Sequence, residues 1–169
     1  PPAEVSVAVP LQQSVVPYEE LTGNTVAFAT VDLVARVEGF LTEIAYKDGA
    51  YVKKDDLLFQ IDPTIYAAKV AQAEAELAAA KAVLVQAQAE FIRQETLLRQ
   101  NVSAQNTYDI AKAKRDSSAA NVDNQTANLA VAKANLGYTT VQAPFDGIVT
   151  KHLITVGELV GASTATKLA

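Results

Sequence analysis

The sequence predicts an elongated α+β protein in which a long antiparallel coiled-coil hairpin is inserted between two halves of a small β domain. Three observations predict it. First, the stretch from Thr64 to Gly137 is rich in Ala, Gln and Lys, and its bulkier apolar residues recur every seven positions. One arm reads Val70, Leu77, Leu84, Phe91 and Leu98, with Ala73, Ala80, Ala87 and Gln94 three places on. The other reads Tyr108, Arg115, Val122, Leu129 and Leu136, followed by Ala111, Ser118, Gln125 and Ala132. A strict heptad with small residues between large ones marks a slender left-handed coiled coil. Second, pairing Leu98 with Tyr108, Phe91 with Arg115, Leu84 with Val122, Leu77 with Leu129 and Val70 with Leu136 gives one common midpoint, Ser103. The arms are therefore in register as a hairpin folded near that residue. Third, the flanks are β-like and related to each other. A shift of 108 residues (147 minus 39) lays Gly39 on Gly147, Leu41 on Val149, Gly49 on Gly157 and Val52 on Val160.

Taken in order, Val5, Val7 and Val9 alternate with smaller residues and predict a short strand stopped by Pro10. Val15 to Ala27 is extended in character. Strands are predicted over Val31 to Val37, Phe40 to Tyr46, Tyr51-Val52 and Leu57 to Ile61, with an Asp48-Gly49 turn. Asp62-Pro63 opens the first arm, Asp as a cap and Pro as a first helical residue. That arm runs to about Gln100, roughly 55 Å at 1.5 Å per residue. Glu95 and Arg99 stand four apart in the favourable order near its end. The second arm begins near Ser103 and ends at Gly137, a C-terminal cap. Tyr138 to Ala143, Ile148 to Ile154, Leu159-Val160 and Thr164 to Ala169 are extended, separated by turns at Pro144 to Gly147 and Val156-Gly157.

Composition narrows the function classes. The net charge of -5 has no basic patch beside it, so nucleic acid and anionic membrane surfaces are poor partners. Without cysteine there is no disulfide framework and no thiolate metal site. No apolar run approaches the roughly 20 residues of a membrane span. Pro1-Pro2-Ala3-Glu4 does not read as a signal peptide, so any export signal or anchor is expected outside this stretch.

Particular runs carry a resemblance. They are Val37-Glu38-Gly39-Phe40-Leu41, Asp48-Gly49-Ala50-Tyr51-Val52 and Leu58 to Pro63, then Leu136 to Gly147 and Gly157-Glu158-Leu159-Val160. With the inserted hairpin between them, the chain resembles the periplasmic adaptor proteins (membrane fusion proteins) of tripartite efflux pumps and type I secretion systems. The N-terminal segment and modest hairpin length are most similar to adaptors of RND-type pumps. The resemblance implies a split lipoyl-like sandwich over 31–62 and 138–169 and a hairpin over 63–137. It also implies that 1–30 belongs to a β-barrel otherwise missing, and that only an N-terminal portion is present. It implies a periplasmic protein anchored to the inner membrane, bridging an RND transporter and an outer-membrane channel, self-associated into a ring, with neither enzymatic activity nor cofactor. An ABC-type exporter or type I system is the alternative motor, and a purely structural oligomerisation module a remoter reading.

Adaptors of this type carry a tip pattern of Arg, Leu four residues on, and Ser about eleven on. Arg93 and Leu97 match it and Leu98 follows, whereas Ser103 stands ten after Arg93, one residue short. The docking residues implied are Arg93, Leu97, Leu98, Gln100, Asn101 and Ser103. Each has a plainer reading. Ser103 is first of all an N-cap. Leu97 and Arg93 are ordinary helix surface and seam, though an exposed Leu near a hairpin end suits a partner helix. Arg115 stacks on Phe91 or snorkels outward. His152, the only histidine, is a solvent-facing strand residue with no second ligand spaced to hold a metal. One His and no Cys leave little for a nucleophilic centre. Glu74 and Glu76 diverge on a helix and make no acid–base pair, and Gly157 and Gly161 are turn formers without a phosphate-binding context. Lys69 lies inside a helix, so the cofactor-carrier function of lipoyl domains finds no displayed lysine.

Overall fold

A computed structural model of the chain describes residues 1–161 and 167–169. Pro1–Val31 and Asp32–Ala169 form two separate units. The first contains no strand and no helix, and Val5, Val7 and Val9 are 82%, 89% and 93% exposed. The strand expected at Val5 to Pro10 and the extended stretch at Val15 to Ala27 therefore form no ladder. Alternation supplies a face, but a strand also needs a neighbouring backbone to bond its N–H and C=O groups.

In the second unit the order is β1 (Gly39–Ile44), β2 (Tyr51–Val52), β3 (Leu57–Ile61), α1 (Thr64–Arg99), α2 (Gln105–Gly137), β4 (Thr140–Gln142), β5 (Gly147–Ile148) and β6 (Leu159–Val160). One sheet has the order β4-β3-β1-β6, and β2 pairs with β5 in a second. Four expected strands are shorter: Phe40 to Tyr46 ends at Ile44, Tyr138 to Ala143 is reduced to Thr140–Gln142 because Tyr138 closes α2, and two more are cut back further. Val31 to Val37 contributes only a bridge from Val34 to Lys167. Beyond Ile148 the backbone changes partners, from Ala50 at Val149 to Leu168 at Leu153, so no continuous ladder forms there. Of the extended piece expected at Thr164 to Ala169, residues 164–166 lie outside those described, and Lys167 sits in the bridge.

The internal repeat becomes a set of paired interactions. Gly39 pairs with Val160, and the shifted equivalent, Gly147, pairs with Val52. Gly49 N–H donates to the Val149 carbonyl at 2.9 Å, and Gly157 N–H to the Leu41 carbonyl at 2.8 Å. Gly49 and Gly157 hold φ of 75° and 90°, which explains glycine at both turns. Each half thus lends strands to the other. Ala35 and Ala143, also 108 apart (143 minus 35), are both 2% exposed.

The core lies between these strands. Phe59, Leu41, Leu58, Ile61, Leu168 and Val160 are fully buried. Ladder registers slip between Leu41 and Glu43 and between Leu57 and Phe59. Such bulges interrupt two-residue alternation, and the sequence neighbours Leu58 and Phe59 are both buried. Tyr46 meets Phe59 edge-on at 5.3 Å between centroids. Burial, then the Asp48 charge, pushes the Tyr46 phenol up to about 12.

The helices pack antiparallel along the predicted seam. Ala73, Leu77, Ala80, Ala87 and Phe91 are buried on α1, and Ala111 and Ser118 on α2. Every other heptad position named above is half-buried. Lys133 pairs with Glu74 at 3.1 Å, and Phe91 meets Tyr108 at 5.4 Å. The Arg115 guanidinium lies 4.4 Å over the Phe91 ring, so this seam cation is accommodated by stacking.

The helix ends differ in detail from expectation. Pro63 is the residue before the first helical one, and Asp62 Oδ1 accepts from the Thr64 N–H at 2.9 Å and its hydroxyl at 2.6 Å. Those bonds hold the Asp62 carboxyl below its ordinary range. Gly137 is the last residue of α2 rather than a left-handed cap; Tyr138 is the cap. The Thr139 hydroxyl donates to the Leu136 carbonyl at 2.7 Å and closes that end. The helix pair is tied to the sheet beneath it. The Tyr66 hydroxyl donates to the Glu38 carbonyl at 2.7 Å, and Arg36 lies 5.2 Å over the Tyr138 ring. Gln60 donates to the Ile61 and Thr139 carbonyls and accepts from the Thr140 hydroxyl.

Candidate functional site: the tip of the helix pair

The distal end of the helix pair is a five-residue connection, 100–104, between Arg99 and Gln105. Its first half is dictated by how α1 ends. Asn101 takes a left-handed φ of 59°. Its N–H donates to the Leu98 carbonyl at 2.9 Å, and the Val102 N–H to the Leu97 carbonyl at 2.9 Å. This is a Schellman closure with Asn in the place usually held by Gly, the non-glycine residue most at ease there. It satisfies carbonyls that would otherwise be orphaned at the helix end.

The closure fixes the next side chains. Val102 stands 72% exposed at the apex. Ser103 turns its hydroxyl back to Gln94 Oε1 at 3.0 Å, joining the connection to α1. The expectation that Ser103 caps α2 is corrected: the helix begins at Gln105, its flanking residue is Ala104, and no side chain caps it. The hydroxyl is used across the hairpin because Gln94 lies opposite.

Of the other expected site residues, Arg93 is exposed and bound to Glu90 one turn back. Leu97 and Leu98 are half-buried, and Gln100 and Asn101 are exposed. Arg93, Leu97 and Gln100 follow i, i+4, i+7 spacing and share one helix face, while Leu98 belongs to the seam. The fold brings all six expected residues to one end. The exposed ion pairs Arg93–Glu90 and Arg99–Glu95 add little stability. Val102 was missed by the sequence reading. Its signal was present as an apolar residue directly after Asn101 in a polar loop.

Chemistry elsewhere is sparse. Among the described residues no group of three His, Asp or Glu side chains could hold a metal. His152 departs from expectation: it is half-buried, with Nδ1 2.7 Å from Asp48 Oδ1, and its N–H donates to the same oxygen at 3.2 Å. The pair bridges the two halves of the repeat. These His152 bonds, with Lys151 nearby, lower the Asp48 carboxyl below its usual value. A depressed carboxylate adds stability above its unfolded pKa and loses it as pH falls through the folded one. Asp48→Asn is therefore expected to lose less of its thermal midpoint between pH 7 and pH 3 than the parent. Equal acid sensitivity in the two proteins would show that the pair carries no charge-dependent stability.

Residues 29–169 match the family model described as "RND MFP, barrel-sandwich hybrid domain". The chain belongs to this family of membrane fusion proteins. It is 36% identical over 168 residues to the efflux pump periplasmic linker BepD of Brucella suis, covering 99% of this chain and 42% of that protein. It is 33% identical over 165 residues to the multidrug resistance protein MdtE of Escherichia coli K12, covering 98% and 43%. The crystal structure of a MacA–MexA chimera containing the Pseudomonas aeruginosa MexA α-hairpin superimposes with a TM-score of 0.56 at 33% identity, covering 83% of this chain and 46% of that one. The chain thus spans less than half the length of the curated relatives it matches.

Proposed function

We propose that the protein is a periplasmic adaptor of a tripartite efflux pump. It bridges an inner-membrane transporter of the RND type and an outer-membrane channel, and the tip of its helix pair docks on the channel. Residues 31–62 and 138–169 form a lipoyl-like sandwich that packs beside its neighbours in a ring, and 63–137 is the coiled-coil hairpin inserted into it. Residues 1–30 contribute to a β-barrel. No residue is required for covalent chemistry, and the work is mechanical: to seal a conduit and transmit the state of the transporter.

The observation that carries this reading is the construction of the tip. A hydrogen-bonded turn leaves Val102 72% exposed just after exposed Gln100 and Asn101, at the end of two long helices, with exposed Arg93 about two turns below on α1. A rigid, preorganised knob of this kind loses little entropy on docking between partner helices. The relatives' names, an efflux pump periplasmic linker and a multidrug resistance protein, point the same way.

The test is complementation of efflux in a strain lacking the adaptor. Arg93→Asp and Leu97→Asp are each expected to lower drug tolerance to that of the empty strain, with normal abundance and unchanged helix content. Full tolerance from both variants at normal abundance would refute docking through these residues.

A further inference from the structure

Two residues of the expected tip pattern, Arg93 and Ser103, are joined through two that lie outside it. The Ser103 hydroxyl donates to Gln94 Oε1 at 3.0 Å. The Gln94 amide then donates from Nε2 to Glu90 Oε1 at 2.8 Å, and the other Glu90 oxygen accepts from the Arg93 guanidinium. The relay runs Ser103, Gln94, Glu90, Arg93. Its first three members are half-buried, and Arg93 is exposed. Gln94 also stands in the seam where the three preceding heptads carry Ala73, Ala80 and Ala87. A long amide there gives up rotamer freedom and hydration that Ala does not have to lose. Both of its polar ends are occupied.

The two halves of the connection are fastened by different means. Before Ser103, the Asn101 and Val102 N–H groups close α1 on its own carbonyls at 2.9 Å. From Ser103 onward the backbone tie is weaker, since the Ser103 N–H reaches the Leu97 carbonyl only at 3.4 Å. No side chain caps α2 either, so the Ser103–Gln94 bond is the short tie between the second half of the connection and α1. We infer that Ser103 and Gln94 are positioning residues for the docking tip. Ser103 spends its hydroxyl on α1 rather than on the partner, and Gln94, itself held by Glu90, fixes the connection so that Val102 is presented in one place. The inference rests on the proposed docking of the tip. The partner then meets exposed groups such as Val102 and Gln100, and Ser103 sets their arrangement from behind. A connection ordered before docking loses less entropy when it docks.

Gln94→Leu and Ser103→Ala test this in the native full-length protein. In the free protein each is expected to speed amide exchange of Val102 and Ser103 about two- to twelve-fold, the worth of one net hydrogen bond, with helix content unchanged. In the strain lacking the adaptor each is expected to lower drug tolerance. The double variant is expected to fall no further than either single one, because both remove the same tie. Ser103→Thr, which keeps the hydroxyl, is expected to match the parent in both measurements. Losses that add in the double variant would show that Ser103 meets the partner itself, and would overturn the inference. So would parental exchange rates in both single variants, or a Thr variant as fast as the Ala one. Arg93→Asp and Leu97→Asp separate this inference from the docking reading. If they abolish tolerance while Gln94→Leu and Ser103→Ala keep it, the positioning role fails alone; if all four keep it, docking fails as well.

Discussion

Phe59→Ala is expected to destabilise the β unit by about 3–5 kcal/mol, the range for removing a fully buried aromatic ring. The ring is 0% exposed, packs edge-on against Tyr46, and sits on β3, which is bonded on one side to β1 and on the other to β4. Its strand neighbours Ile44 and Val141 are held by the same ladders, so the cavity cannot close by moving one strand alone. Against a total of about 5–15 kcal/mol for a typical domain, this is a large fraction. The measurement is urea unfolding followed by near-ultraviolet dichroism, because the long helices dominate the far-ultraviolet signal. A loss under about 1 kcal/mol would mean that the core collapses around the missing ring, contrary to its placement between two ladders.

Gly39→Ala and Gly147→Ala are expected to diverge sharply although the repeat makes them equivalents. A Cβ on Gly39 would stand 2.7 Å from Ile61 Cγ2, and Ile61 is fully buried. That side chain has nowhere to retreat, so overpacking of about 1–3 kcal/mol follows. A Cβ on Gly147 would meet only the Phe145 ring at 3.6 Å, an ordinary contact. There the loss of unfolded-state freedom favours Ala by about 0.4–1 kcal/mol. Paired thermal melts decide the matter: equal shifts for the two variants would refute the steric account.

The helix pair was legible because its period repeats over many turns. The heptad positions named from sequence alone are each buried or half-buried, and the common midpoint at Ser103 falls within the observed connection. The glycine pairs were legible because a tight turn with positive φ restricts the choice of residue, and this restriction appears twice. What escaped notice depends on partners distant in sequence. The Asp48–His152 pair spans 104 residues, and nothing local to either residue announces it. Val5 to Pro10 shows the opposite case, a strand-like pattern that pairs with no other strand among the described residues. At the tip, Ser103 follows the general preference for a capping residue, yet Gln94 competes for its hydroxyl and wins.

The exchange of strands between halves has a consequence for the order in which the chain folds. β1 cannot complete its pairing until β6 has been made, more than a hundred residues later, and β2 waits in the same way for β5. Closing such long loops through an unfolded chain is slow and entropically costly. The helix pair removes that obstacle, since its own contacts begin with near neighbours at the turn and proceed inward like a zip. When the zip reaches Thr64 and Gly137, β3 and β4 are delivered side by side, and the remaining strands have only short distances to search. The hairpin thereby serves as the splint on which its own base is assembled.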